Sequence, residues 1–177
     1  NGFKLKAYFG GSAEPSMCQA IEALLDKNPV RATALTGQTT ITDIRPAHYA
    51  AIKKLVDFKS IARSKIKFAH DPLFGVGAGC FAQLLAGTTC KVTTLNAEHD
   101  PNFGGINPEP VEKNYARSAA YLRKHPHDLC LVTDGDADRV DGMDARGNYL
   151  STHNLICLLL YHSVVNRKAK GRMVKAL

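Results

Sequence analysis

Long apolar segments and a cysteine framework are both missing from this sequence. The longest apolar run covers only residues 155–161, far short of the roughly 20 residues that a membrane-spanning helix needs. The 5 cysteines are odd in number and scattered through apolar settings, so we expect free buried thiols rather than disulfides or a zinc site. These absences predict a soluble, cytoplasmic protein that has no membrane partner.

The basic residues lack the interleaved aromatic residues that nucleic-acid binding uses for base stacking. The net charge of +7 comes largely from clusters at residues 63–67 and 167–175, and neither cluster has such aromatics. We therefore interpret the basic residues as a solvated surface and expect no nucleic-acid partner. Affinity for a small anionic substrate is the alternative use of this charge.

Alternation of short apolar runs with helical patterns dominates the middle of the chain. The predicted order is strand 66–69, helix 81–85, strand 91–95, helix 111–124 and strand 129–133. Strands separated by helices favour an α/β fold with a mixed, mostly parallel sheet flanked by helices. In such sheets ligands bind at the carboxyl ends of the strands, where Asp71, the irregular loop 98–110 and the residues after Thr133 fall.

The two ends of the chain follow different patterns. Residues 3–9 predict a strand, and a helix capped by Ser12 or Ser16 is expected to run to Leu25. We next expect a connector at 30–42. A helix is expected to begin near Pro46, and its apolar face continues to Ile61. After Arg139, the glycines at 142 and 147 predict a hairpin, and residues 154–165 predict a helix. The sequence opens without Met and stops where a strand pattern is just beginning, so we expect a piece of a longer protein.

Two glycines lack the partner that a dinucleotide fingerprint would require. Gly75 and Gly77 match its start, but Cys80 stands where the third glycine belongs. Close packing of helix against strand is the interpretation that we prefer. Glu98, His99 and Asp100 are alternative metal ligands, although we expect them to form a polar loop near the acidic residues that follow Thr133.

The stretch 129–139 is an apolar strand that leads into Asp134, Asp136 and Asp138. Alternate side chains of an extended segment share one side, so these carboxylates are predicted to converge on a hard cation, Mg²⁺ or Ca²⁺. An EF-hand is excluded, because Arg139 and Ala145 stand where its glycine and glutamate belong. A solvated acidic turn and a phosphatase that uses Asp134 as nucleophile remain open.

Residues 133–139 resemble the metal-binding loop of the α-D-phosphohexomutases, the phosphoglucomutase and phosphomannomutase enzymes. Residues 99–114, which include Asp100-Pro101-Asn102-Phe103 and Asn107-Pro108-Glu109-Pro110, are similar to that family's second-domain loop. The opening Asn1-Gly2-Phe3-Lys4-Leu5 resembles the segment just after its phosphoserine.

The resemblance implies an enzyme that moves a phosphoryl group between the 1 and 6 positions of a hexose phosphate through a bisphosphate intermediate. It implies Mg²⁺ ligands at Asp134, Asp136 and Asp138, with Arg139 beside the phosphoryl group and Lys4 as a basic residue near the phosphoserine. It also implies that residues 1–44 end the first domain, 45–147 form the second, metal-loop domain and 148–177 begin the third.

Several parts of that family's pattern are missing. The sequence starts after the phosphoserine loop and stops before the sugar-recognition loop and the fourth domain, so it does not indicate which hexose phosphate is used. We expect an inactive piece of a mutase or a degenerate protein. A stand-alone Mg²⁺-dependent phosphatase and a non-catalytic cation or phosphosugar-binding module are the alternatives.

Overall fold

The structure is a computed structural model that describes residues 4–27 and 37–174. The chain divides into two compact units, with the division between Thr42 and Asp43. The predicted connector lies partly outside the described residues, and residues 37–42 have no regular secondary structure.

In the first unit, helix α1 spans Pro15–Glu22, and Glu14 precedes it without a side-chain capping bond. The predicted serine caps are therefore wrong, because Pro15 itself begins the helix. The predicted strand is also wrong over its described residues: the chain turns back at Gly10, and an isolated bridge pairs Lys6 with Ser12.

The second unit opens with two helices where one continuous helical face was predicted. Helix α2 spans Arg45–Leu55 and helix α3 spans Phe58–Arg63. Val56 has an extended backbone, which ends α2. Asp57 caps α3 by accepting a hydrogen bond from the backbone N–H of Ser60 at 3.1 Å.

A five-stranded mixed sheet forms the centre of this unit and confirms the predicted α/β class. Its order is β2-β1-β3-β4-β5, in which β1 is parallel to both β2 and β3, and the pairs β3–β4 and β4–β5 are antiparallel. The carboxyl ends of β1, β2 and β3 consequently meet at one edge of the sheet. The strands are β1 Lys67–Asp71, β2 Lys91–Thr94, β3 Leu129–Thr133, β4 Val140–Asp144 and β5 Tyr149–Leu150.

Helices cover both faces of the sheet. Helix α5, Ala116–Lys124, contributes Ala119 and Leu122 to a core with Val132 and Met143. Helix α4, Cys80–Leu84, lies on the other face, where the Phe81 ring packs edge-on against Phe68, with 5.5 Å between centroids. Alternate residues of each strand thus enter two different packing layers.

Two helix boundaries differ from the sequence pattern. The expected start of α5 at Val111 is wrong, because Val111 is extended and a 3₁₀ turn, Glu112–Asn114, precedes α5. Helix α6 spans Thr152–Tyr161, capped by Ser151, and passes into a π-helical turn, His162–Asn166. None of the helices within the described ranges has the length and apolar character needed to cross a bilayer.

Candidate metal centre

The three aspartates lie in the loop that joins β3 to the antiparallel β4. Thr133 pairs with Val140 across this hairpin. The loop between them is a turn rather than the extended segment that the alternation predicted: the N–H of Ala137 donates to the carbonyl of Asp134 at 3.1 Å, and Ala137 has a φ of 60°. Chain reversal, and not strand alternation, therefore brings the carboxylates together.

One oxygen from each of Asp134, Asp136 and Asp138 lies within 4.8 Å of the other two. Ligand oxygens on opposite sides of Mg²⁺ stand roughly 4.2 Å apart, and those around Ca²⁺ up to roughly 5 Å apart. Oxygens that lie within 4.8 Å of one another are on the scale of the ligand spacing around either ion. Asp136 and Asp138 are exposed, so a cation can reach their carboxylates from solvent.

Asp134 differs from the other two aspartates because it is buried, with 1% of its surface exposed. The backbone N–H of Arg139 donates to its Oδ1 at 3.0 Å, and the Nε–H of Arg139 donates to its Oδ2 at 2.7 Å. Burial alone would raise the pKa of Asp134, but these bonds and the guanidinium charge outweigh it and hold the pKa below its ordinary value. Asp134 is therefore ionised at neutral pH.

The other end of the loop carries uncompensated negative charge. The charge of Asp136, followed by burial and the charge of Asp134, raises the pKa of Asp138 above its ordinary value. The guanidinium of Arg139 offsets this only weakly, since its Nε is 3.7 Å from the nearer Asp138 oxygen and both groups are more than half exposed. A bound cation would remove the repulsion, so the donor set fits a hard divalent ion.

Backbone contacts from two neighbouring loops support the acidic loop. The carbonyl of Gly135 accepts from the N–H of Val76 at 3.0 Å, and its N–H donates to the carbonyl of Pro108 at 3.1 Å. Gly77 lies against Thr133 and Ala137. Close packing does account for the two glycines of the incomplete fingerprint, but they pack against the acidic loop rather than a helix.

Asp71 lies at this edge of the sheet, as the strand pattern predicted, although the pattern gave no role for it. The structure buries it completely, and its carboxylate accepts hydrogen bonds from the backbone of Leu73 at 2.9 Å, from the Asn96 side chain at 3.0 Å and from the Ser118 hydroxyl. Burial raises the pKa of Asp71 in spite of these donors. Asp71 thus ties the loops after β1 and β2 to helix α5, and no spacing in the sequence indicated Asn96 or Ser118.

His70 supports the same edge from the opposite face of the sheet. Its Nε2 is 3.1 Å from the Thr133 hydroxyl, one residue before Asp134, and the Phe81 ring packs against the imidazole. Burial lowers the pKa of His70 to about 4, so the imidazole is neutral at physiological pH.

The remaining candidates have different surroundings. Asp100 accepts from the backbone of Asn102 and Gly104, as expected for a residue that organises a polar loop. Among the described residues, the metal-like carboxylate grouping is the one formed by the three aspartates of the acidic loop. Lys4 belongs to the first unit and is exposed.

Fold and site together define an α/β/α domain with a carboxylate cluster at the ligand edge of its sheet. The family profile described as phosphoglucomutase/phosphomannomutase, alpha/beta/alpha domain II, matches residues 46–147, which is more than half of the chain. The chain belongs to the phosphoglucomutase/phosphomannomutase family.

Individual relatives agree with this assignment. The chain is 29% identical over 161 residues to the probable phosphoglucosamine mutase of Methanothermobacter thermautotrophicus, covering 90% of this chain and 35% of that protein. It is also 29% identical over 175 residues to a phosphoglucomutase of Neisseria gonorrhoeae, covering 98% of this chain and 37% of that protein. A crystal structure of a Thermus thermophilus protein assigned as a phosphomannomutase superposes with a TM-score of 0.71 at 34% identity, covering 90% of this chain and 36% of that one. The chain therefore spans about a third of the length of these relatives.

Proposed function

We propose that this chain is the metal-binding portion of a phosphohexomutase, an isomerase that interconverts hexose 1-phosphate and hexose 6-phosphate through a phosphoserine and a bisphosphate intermediate. The observation that carries the proposal is the convergence of three carboxylates within 4.8 Å at the ligand edge of a phosphosugar-mutase domain. In this proposal residues 1–44 end a first domain, 45–147 form the metal-loop domain and 148–177 begin a third.

In the proposed site Asp134, Asp136 and Asp138 hold Mg²⁺, which when bound neutralises charge on a phosphoryl group in transfer. Arg139 fixes the buried Asp134 and leaves the rest of its guanidinium for a phosphoryl oxygen, because its Nε alone contacts Asp134. We assign Lys4 a role in moving protons near the phosphoserine.

A phosphatase that uses Asp134 as nucleophile is less well supported. The family match favours a mutase over a phosphatase, because the matched profile is that of phosphoglucomutase/phosphomannomutase domain II. Trapping with beryllium fluoride tests this alternative. We expect no adduct at Asp134, whereas a stoichiometric aspartyl adduct would favour the phosphatase.

The relatives do not single out one sugar as the substrate. This chain is equally identical to a phosphoglucosamine mutase and to a phosphoglucomutase, at 29% each. Its sequence therefore supports a phosphosugar mutase without distinguishing glucose from glucosamine.

A coupled assay on the complete protein tests the function. Glucose 1-phosphate, mannose 1-phosphate and glucosamine 1-phosphate are supplied separately, each with its 1,6-bisphosphate and Mg²⁺. We expect turnover of at least one of them. The isolated 177-residue chain should be inactive, because the nucleophile and the sugar-binding groups must be positioned together for transfer.

Steady 6-phosphate production by the isolated chain, after host mutase has been excluded, would contradict the proposal. Absence of turnover by the complete protein with all three sugars would also contradict it. If both forms are inactive, calorimetry with hexose phosphates, with and without Mg²⁺, tests the non-catalytic binding module instead.

A further inference from the structure

The loop 72–79, between β1 and α4, approaches the acidic loop more closely than any side chain would allow. A Cβ on Gly75 would lie 2.5 Å from the carbonyl oxygen of Gly135 and 2.7 Å from its Cα. The next residue, Val76, donates its backbone N–H to that same oxygen at 3.0 Å, while 72% of Val76 is exposed. The contact is therefore made by backbone atoms, and it depends on glycine at position 75.

The residues just before Gly75 are held in a conformation that side chains disfavour. Leu73 and Phe74 have φ values of 48° and 61°, although neither is a glycine. Both are buried, and their N–H groups are bound, that of Leu73 by Asp71 at 2.9 Å and that of Phe74 by the carbonyl of Asn96 at 3.0 Å. Strained backbone of this kind persists only where the surroundings over-determine it, and it is concentrated at functional sites.

The backbone of Gly135 is also held by a second loop. Its N–H donates to the carbonyl of Pro108, and a Cβ at this position would lie 3.1 Å from the Pro108 ring and 3.3 Å from Phe103. Gly135 stands between Asp134 and Asp136. Its N–H belongs to the peptide bond with Asp134 and its carbonyl to the peptide bond with Asp136, so the two hydrogen bonds together fix the backbone from which these two carboxylates project.

We propose that Gly75, together with the Val76 N–H, positions the acidic loop for cation binding. This inference rests on the proposed metal role of that loop. The strained segment that follows β1 places the backbone of Gly75 and Val76 against Gly135. This contact holds the carboxylates of Asp134 and Asp136 at ligand spacing before a cation binds. Gly75 is a positioning residue and touches no reacting atom.

The test compares Mn²⁺ affinity with thermal stability in the 177-residue chain and its variants. Free Mn²⁺ is counted by electron paramagnetic resonance, and melting is followed by circular dichroism. Gly75→Ala is expected to weaken Mn²⁺ binding at least about tenfold, the range found when groups that orient metal ligands are lost. Asp136→Asn, which removes a ligand charge, is the reference for a damaged site.

Gly147→Ala is the matched control. Gly147 lies in the hairpin between β4 and β5 and has a φ of 75°. A Cβ there would lie 2.8 Å from the backbone oxygen of Ala119 in α5. This change should lower the melting temperature and leave Mn²⁺ affinity within about twofold of the parent, since outer residues affect affinity only when they orient ligands. A structural role alone would make the two alanine variants behave alike.

Gly77→Ala carries the test if Gly75→Ala does not fold. Its Cβ would lie 2.9 Å from the Thr133 hydroxyl, a side-chain atom that can yield, so we expect a loss of affinity of about threefold, less than the loss from a displaced backbone. Provided that Asp136→Asn weakens Mn²⁺ binding, parent-like Mn²⁺ affinity in a folded Gly75→Ala chain would overturn the positioning role. If Gly75→Ala does not fold, parent-like affinity in Gly77→Ala would overturn it instead. Equal losses in Gly75→Ala and Gly147→Ala would also overturn it. Equal binding by the parent and Asp136→Asn would instead overturn the metal site itself, and the positioning role with it.

Discussion

Arg139 binds both oxygens of the Asp134 carboxylate, one through its backbone N–H and one through its Nε–H. The loop thereby closes on itself with its buried charge neutralised, while Asp136 and Asp138 remain exposed and repel each other. Arg139 thus stabilises the folded loop, while the negative charges of Asp136 and Asp138 remain uncompensated.

Arg139→Ala should destabilise the chain by about 1 kcal/mol, which is less than the roughly 1.5–3 kcal/mol of a hydrogen bond to a charged group, because the guanidinium is half exposed. Urea unfolding of parent and variant measures this difference. Arg146→Ala is the control, since Arg146 is an exposed arginine whose backbone N–H, rather than its side chain, is bonded to Asp144. Equal stability of the Arg139→Ala chain and the parent would show that Asp134 does not depend on the guanidinium.

Burial of His70 should make the stability of the chain depend on pH. Its pKa of about 4 in the folded chain lies below the ordinary value of 6.5, so the unfolded chain takes up the proton first. The stabilisation is complete above pH 6.5 and is lost as the pH falls toward 4, by about 3 kcal/mol in all.

Urea unfolding at about pH 7 and at about pH 4.5 measures this loss. His70→Gln should flatten the dependence in that window, whereas His99→Gln, at an exposed histidine, should retain it. A pH dependence that His70→Gln leaves unchanged would contradict a buried neutral His70.

Ala137→Gly should stabilise the chain. Ala137 has a φ of 60°, and this left-handed backbone costs a residue with a Cβ about 1–2 kcal/mol. Glycine removes that cost but loses about 0.4–1 kcal/mol through the greater conformational entropy of the unfolded chain, so a net gain remains. Thermal unfolding should therefore show a small increase in melting temperature. Ala145→Gly, in an exposed turn without positive φ, should lower it. A lower melting temperature for Ala137→Gly would contradict the observed turn.

The sequence pattern was sufficient where periodicity and burial agree. The strands that lead to Asp71 and Asp134 were predicted because they are short apolar runs, and the helix over Leu122 because apolar side chains recur there with the helical period. The predicted strand at residues 3–9 is wrong in its described part. The chain reverses at Gly10, and its pairing there is limited to the bridge between Lys6 and Ser12.

The geometry of the site could be predicted only in outline. Three aspartates at every second residue indicated convergence, but the turn that achieves it depends on Ala137 adopting a left-handed backbone, which alanine does not favour. The support from Gly75 and Asp71 comes from residues far away along the chain, brought there by the parallel pairing of β1 with β3. No local pattern encodes such a long-range contact.

Lys4 should affect catalysis in the complete enzyme and scarcely affect folding, because it is exposed in the first unit. Lys4→Ala should lower kcat by about 100-fold, the scale of a lost general acid or base, with an unchanged melting temperature. Lys27→Ala, at another exposed lysine of the same unit, is the control. Turnover within about twofold of the parent would leave Lys4 an ordinary surface lysine.

The most direct measurement of the central claim is the turnover number of the complete protein and its Asp136→Asn variant, on whichever hexose 1-phosphate the parent uses. Loss of one ligand charge should lower kcat by at least about 100-fold, since a cation contributes several kcal/mol to phosphoryl transfer. The melting temperature without metal should stay the same or rise, because repulsion with Asp138 is relieved. If kcat instead stays within about twofold of the parent at the same Mg²⁺ concentration, the three aspartates are not the metal site of this enzyme.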